Sequence, residues 1–177
     1  MEDLLERAKE LNLMLYQRCL EADIALFKWW THLNQTGDFD DLFEDTQRSL
    51  SAFYDIFKPP CFLILAFDGD HIWNAIWFSP FSDSNTAAFV GNWCDEPFRG
   101  SRRQLAVNIF AYDAAFKFWD VLLGVTKHEN LLGIHRKMGY EIVGSIPHFM
   151  AGDEAWIVYL TKENFCNSRV YKIGEKL

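Results

Sequence analysis

Basic residues are scarce in this chain. Lysine and arginine number 17 against 25 aspartates and glutamates, a net charge of −8. That deficit argues against a general nucleic-acid or membrane-surface binder. Cysteine is also sparse: Cys19, Cys61, Cys94 and Cys166 lie far apart with no C-x-x-C pair. Neither a metal ribbon nor a disulfide scaffold is expected, and a reducing, cytoplasmic setting fits. His32, His71 and His148 show no metal-ligand spacing with one another, so no metal is expected. No apolar run approaches the ~20 residues of a membrane span, and the acidic, amphipathic start MEDLLERAKE is not a signal peptide. Internal repeats, low-complexity stretches and inter-domain linkers are missing too. What is present is apolar bulk. Half of the 177 residues are hydrophobic and 16% are aromatic, enough for one domain with a substantial core.

Periodicity divides the chain. Leu4, Leu5, Ala8, Leu11, Leu15, Cys19, Ala22 and Leu26 recur at three- and four-residue steps, which predicts helix over 2–33 with a break near 21–23. Trp29 and Trp30 load the end of that helix and read as exposed. Asp40 or Asp41 is placed to cap a second helix running to about 57, stopped by Pro59 and Pro60. The period then changes. The runs 61–67, 71–79 and 86–94 read as three strands of an antiparallel meander, with turns at 68–70 and 80–85. A helix is expected over about 100–119, a short buried strand over 121–126 and a short helix over 128–139 closed by Gly139. A strand pair around a turn at 151–153 follows, with His148 in that turn, and the chain after Phe165 reads as a loosely held polar tail. Trp73 and Trp77 share a strand face with Ala75, which suggests packing. The order α, α, β, β, β, α, β, α, β, β predicts an α+β domain with a mixed sheet.

The stretch EPFRGSRRQLA, 96–106, carries the local exception to the acidic balance. Arg99, Arg102 and Arg103 flank a helix start, where basic charge opposes the helix dipole. Either this is an anion site, with guanidinium groups and backbone N–H groups acting together, or it is a solvated helix end that happens to be basic. Asp95 and Glu96 precede it. A turn carboxylate paired with Arg99 or facing solvent is the favoured reading of Asp95 and Glu96. A nucleophilic Cys94 would need a base that the sequence does not place.

Two segments in register carry a family resemblance. WCDEPFRGSRRQLA lies where the GNAT superfamily of acyl-CoA N-acyltransferases has R/Q-x-x-G-x-G/A, and HENLLGIHRKMGYEIVG lies where it has N-x-x-A-x-x-x-Y-x-K-x-G-F, with Lys137, Gly139 and Tyr140 matching well. The chain resembles that family over about 60–162. The resemblance implies a single GNAT-like domain: an enlarged helical N-terminal part (1–58), an acyl-CoA-binding core (60–162) with a mixed, mostly antiparallel sheet, and a C-terminal tail (163–177). It implies transfer of an acyl group, most simply acetyl from acetyl-CoA, to an amine on a small molecule or a protein. Arg99, Gly100, Ser101, Arg102, Arg103 and Gln104 would hold the pyrophosphate, and the Cys94 backbone would face the pantetheine arm. Asn130 would stand in for the family's asparagine, whose own register falls on His128. His135 falls on the family's tyrosine and would protonate the departing thiolate, while Glu96 or a water takes the amine proton. Two departures stand out: Arg102 and Gln104 occupy the glycine positions, where side chains obstruct close approach of a pyrophosphate. The second segment is also similar to GNAT-like proteins of short-tailed phages. That implies a rival reading, a non-catalytic module of viral origin acting in a virion or on a host. In either case the aromatic N-terminal helices are a candidate surface for a homodimer or a protein partner.

Overall fold

The computed structural model describes residues 2–43, 46–81, 86–150 and 152–174. Seven strands form one mixed sheet in the order β1-β2-β3-β4-β5-β7-β6. They are β1 (Leu13–Leu15), β2 (Phe62–Asp68), β3 (His71–Pro80), β4 (Ala87–Cys94), β5 (Val121–Thr126), β6 (Glu141–Met150) and β7 (Asp153–Thr161). β1 pairs antiparallel with β2, and β7 antiparallel with both β5 and β6, while β4 and β5 run parallel. This is the α+β mixed sheet that the sequence predicts. Among the described residues no helix is long and apolar enough to cross a membrane.

The chain divides into two compact units, Met1–Trp77 with Asn92–Arg99, and Phe78–Gly91 with Gly100–Leu177. The first holds α1 (Glu2–Glu10), α2 (Leu20–Thr36), α3 (Asp38–Leu42) and α4 (Leu50–Ile56). The helix predicted over 2–33 is interrupted at 11–19 rather than near 21–23. Residues 13–15 form β1, a strand the sequence does not announce. Asn12, at φ 54°, turns the chain, and its side-chain amide donates to the Phe67 carbonyl. Leu11 and Leu15 fit a helical stripe, but pairing with β2 satisfies the backbone of 13–15 instead. The second predicted helix is likewise two. α3 begins at Asp38 after Gly37, so neither Asp40 nor Asp41 is the cap, and Ser49 caps α4 by accepting from the Ala52 N–H.

Trp29 is not a surface residue. It is 1% exposed and sits at the centre of an aromatic cluster, with the rings of Phe53, Phe57, Trp93 and Trp77 at 5.3, 5.6, 5.8 and 6.1 Å. The reason is register. Ala22, Ala25, Leu26, Trp29 and Leu33 form the buried stripe of α2, against Leu63, Leu65, Ile72 and Ala75 of β2 and β3. The apolar side chains that α2 does leave exposed are Leu20, Ile24 and Phe27. Trp77 packs in the same cluster while Trp73 stacks on Phe98 at 4.9 Å.

The second unit is built on α5 (Arg102–Ala115), whose Val107, Ile109, Phe110, Ala111, Tyr112, Ala114 and Ala115 are buried. Its C-terminal segment is not a loose tail. α7 (Lys162–Asn167) and α8 (Arg169–Gly174) follow β7, and Phe165 is fully buried, with its ring 5.4 Å from Tyr112 and 5.1 Å from Tyr171. A short segment that looks polar is thus anchored by one aromatic plug. His148 lies in the irregular end of β6 rather than in the turn, at φ 55°, bonded to the Gly152 carbonyl.

Candidate functional site

β4 leads into the basic stretch. Asp95 opens a single 3-10 turn over Glu96–Phe98 by accepting from the Glu96 N–H, and Pro97 suits such a start. Phe98 closes the turn by stacking on Trp73. The Arg99 guanidinium does not face solvent alone: its Nε donates to the Cys94 carbonyl at 2.9 Å. Glu96 is exposed and the Cys94 side chain is buried. Burial pushes the Cys94 thiol up to about 11, so at neutral pH it is a protonated packing residue and not a nucleophile.

Gly100 takes φ +72°, a left-handed conformation that favours glycine. Ser101 then caps α5, its Oγ accepting from the Gln104 N–H at 3.1 Å. Gln104 reaches back, and its Oε1 accepts from the Gly100 N–H at 2.7 Å. This is a variant of the capping box, with the reciprocal bond made one residue before the cap. Arg102 and Arg103 are exposed. The turn therefore has the helix start and the basic side chains of an anion site, but one of its outward backbone donors is occupied by the chain's own glutamine.

His135 lies on α6 (Leu132–Lys137), after a 3-10 turn at Glu129–Leu131 that carries the exposed Asn130. Its ring stands edge-on to Tyr140 at 5.2 Å, and the Tyr140 hydroxyl is 2.9 Å from the Tyr112 hydroxyl in a buried pair. Burial holds His135 below its usual range and Tyr140 well above its own, and pushes Tyr112 up to about 12. At neutral pH His135 is a neutral imidazole beside two neutral phenols. The Leu131 backbone, one turn earlier, is a hydrogen-bonding neighbour of His135 and partly offsets the effect of burial. The sequence reading missed the tyrosine pair, whose members are 28 residues apart. His128 is exposed and lines an open cavity of about 390 Å³ with Lys127, Glu129, Asp153, Glu154 and Trp156.

A second constellation was not foreseen. His71 Nε2 lies 2.8 Å from Asp95 Oδ2, and His32 Nε2 lies 3.7 Å from Asp95 Oδ1. Asp95 thus pairs with histidine and not with Arg99. Linear spacing hides this group because its members sit on α2, at the start of β3 and just past β4. The one signal in the sequence is the expected antiparallel pairing of 71–79 with 86–94, which the structure bears out at both ends. The bonds from the Phe81 N–H to the Ala87 carbonyl and from the Asp95 N–H to the Trp73 carbonyl fit a single antiparallel register, which brings the start of β3 beside the end of β4. Nothing in the sequence places His32 there.

No protein-family profile matches the chain, and no curated protein matches it by sequence. Its structure matches solved N-acetyltransferases. Mycobacterium smegmatis RimJ in complex with CoA-disulfide aligns at a TM-score of 0.67 and 11% identity, over 93% of this chain and 88% of that one. Spermidine N-acetyltransferase from Vibrio cholerae, in complex with CoA and spermine, aligns at 0.67 and 13%, over 88% and 99%. An aminoglycoside 6'-N-acetyltransferase complexed with coenzyme A aligns at 0.63 and 16%, over 84% and 96%. The chain has the GNAT fold. The Arg99–Gln104 turn lies between β4 and α5, and His135 lies on the short helix between β5 and β6. The RimJ match covers 93% of this chain, more than the 60–162 over which the sequence resemblance runs.

Proposed function

We propose that this chain is an acyl-CoA-dependent N-acyltransferase that moves an acyl group, most simply acetyl, onto an amine. The observation that carries the reading is the β4–turn–α5 unit, in which a left-handed Gly100, a Ser101 cap and three arginines stand at the start of a 14-residue helix, within a fold whose solved examples include acetyltransferases holding CoA. The amine nitrogen would attack the thioester carbonyl carbon, the C–S bond would break, and the thiolate would leave with the electron pair. The turn Arg99–Gln104 is the proposed pyrophosphate site, with Arg99, Gly100, Ser101, Arg102 and Arg103 facing the anion and Gln104 part of the turn while its side chain occupies the Gly100 N–H; the Cys94 backbone and Asn130 lie along the arm. Glu96 or a water takes the amine proton. His135, held neutral by burial, acts on the thiolate through an N–H hydrogen bond rather than as an imidazolium. The acceptor is an amine on a small molecule or a protein; those named for similar structures include spermidine and aminoglycosides.

Calorimetry with acetyl-CoA tests the reading directly. Wild-type protein should bind, and Gln104→Ala should bind about 3–10-fold more tightly, because it frees the Gly100 N–H, a hydrogen bond of about 0.5–1.5 kcal/mol. Weaker binding by Gln104→Ala would make Gln104 itself a ligand. His135→Ala should lower kcat by about 100-fold. The shape of the pH profile above neutrality should stay as in wild type, because the imidazole is already neutral there.

A second reading, a non-catalytic module that keeps the fold, rests on one observation: the Cys94 carbonyl and the Gly100 N–H are both satisfied by the chain's own Arg99 and Gln104. Absence of binding heat at millimolar acetyl-CoA, in wild type and in Gln104→Ala alike, would establish it over the enzyme.

A further inference from the structure

We propose that His32, His71 and Asp95 form a binding site for a zinc-type divalent cation at the end of β4. Each residue offers one ligand atom, and these atoms lie within 4.8 Å of one another. A tetrahedral ion with bonds of about 2.0–2.1 Å sets its ligand atoms about 3.3 Å apart. His71 Nε2 lies 2.8 Å from Asp95 Oδ2 and His32 Nε2 lies 3.7 Å from Oδ1, so each ring nitrogen stands within about half an ångström of that spacing from its nearer carboxylate oxygen. Two imidazoles and a carboxylate make up three protein ligands, the number that leaves a fourth position for water or another ligand. The same donors are too few and too nitrogen-rich for calcium or magnesium, which take six or more oxygens.

The donors are held in place before any ion arrives. The His32 ring stands edge-on between Trp93 at 5.6 Å and His71 at 5.2 Å. Trp93 is fixed in turn by donating its indole N–H to Asp38. Asp95 is fixed through its own backbone, which donates to the Trp73 carbonyl, and through Oδ1, which accepts from Glu96. His32 Nε2 is buried with no hydrogen-bond partner among the described residues. A buried ring nitrogen 3.7 Å from a carboxylate oxygen, beyond hydrogen-bond reach, is a donor pair that a cation would bridge. Outer contacts of this kind orient ligands and raise affinity. The site is independent of acyl-CoA, so its test does not depend on the proposed transfer reaction.

The full chain, stripped with a chelator, is titrated with Zn²⁺ by calorimetry and with Co²⁺ by visible absorption. One ion per chain should bind with a Kd of order 1 μM or tighter, the Co²⁺ form should show the intense bands of a four-coordinate ion, and Mg²⁺ should not compete. Outer-shell partners alone are worth about 10–100-fold in metal affinity, so His32→Ala and His71→Ala should each weaken binding by more than about 100-fold. Asp95→Asn, which keeps the volume, should also weaken it. His128→Ala, His148→Ala and Cys19→Ser should bind as wild type does. No binding by wild type would reduce the group to a hydrogen-bonded cluster, and binding unaffected by His71→Ala and Asp95→Asn would place the ion elsewhere. Either result overturns the proposal.

Discussion

Trp29→Ala should lower the unfolding free energy by about 3–5 kcal/mol, the usual range for removing a fully buried large aromatic. Trp29 is 1% exposed and its ring meets those of Phe43, Phe53, Phe57, Trp77 and Trp93. The rings come from the end of α3, from α4 and its end, and from β3 and β4, so no single neighbour can relax into the space. Its indole N–H is buried without a hydrogen-bond partner among the described residues. Trp29→Phe removes that orphaned donor along with part of the volume, and should cost much less than the alanine. Urea unfolding of the three proteins, followed by circular dichroism, measures both differences. Equal losses for Phe and Ala would show that the indole makes a hydrogen bond the packing alone does not provide.

Gly139→Ala should cost about 2–6 kcal/mol, from backbone strain of about 1–3 and overpacking of about 1–3. Gly139 follows the last turn of α6 at φ +94°, a conformation that side chains rarely adopt. A Cβ there would meet the backbone of Asn164, with its carbonyl carbon 2.9 Å away, and the Ser168 Cβ at 3.2 Å. Backbone cannot rotate aside as a side chain can, so α7 would have to move. α7 is tied to β6 by the Asn164 side chain, which donates to Glu141 at 2.6 Å. Gly133, in the interior of α6 with open space around it, is the control. Gly133→Ala should stabilise by about 0.5–1 kcal/mol through helix propensity. Thermal unfolding of both variants checks the contrast, and a near-neutral Gly139→Ala would mean that the α6–α7 contact is looser than described.

The two glycines also show how far the sequence can be read. That Gly139 ends a helix is legible from the basic, apolar and aromatic residues around it. That it is also the point where a second helix presses on the backbone is not, because Asn164 is 25 positions away and carries no local sign of the contact.

By itself the sequence determined the strands that are apolar on period two or in continuous runs, the meander that leads into α5, the turn with its arginines before that helix, and the short helix closed by glycine. These rest on forces between near neighbours: alternation, capping hydrogen bonds and the conformational freedom of glycine. Tertiary structure alone decided the rest. It made 13–15 a strand, because an edge of β2 was there to pair with. It buried Trp29 and Phe165, whose neighbours in sequence looked exposed. It turned Gln104 back onto Gly100, and it brought His32, His71 and Asp95 together from a helix, a strand start and a strand end. Each of these depends on partners far away along the chain, and a partner's position is fixed only when the sheet has formed.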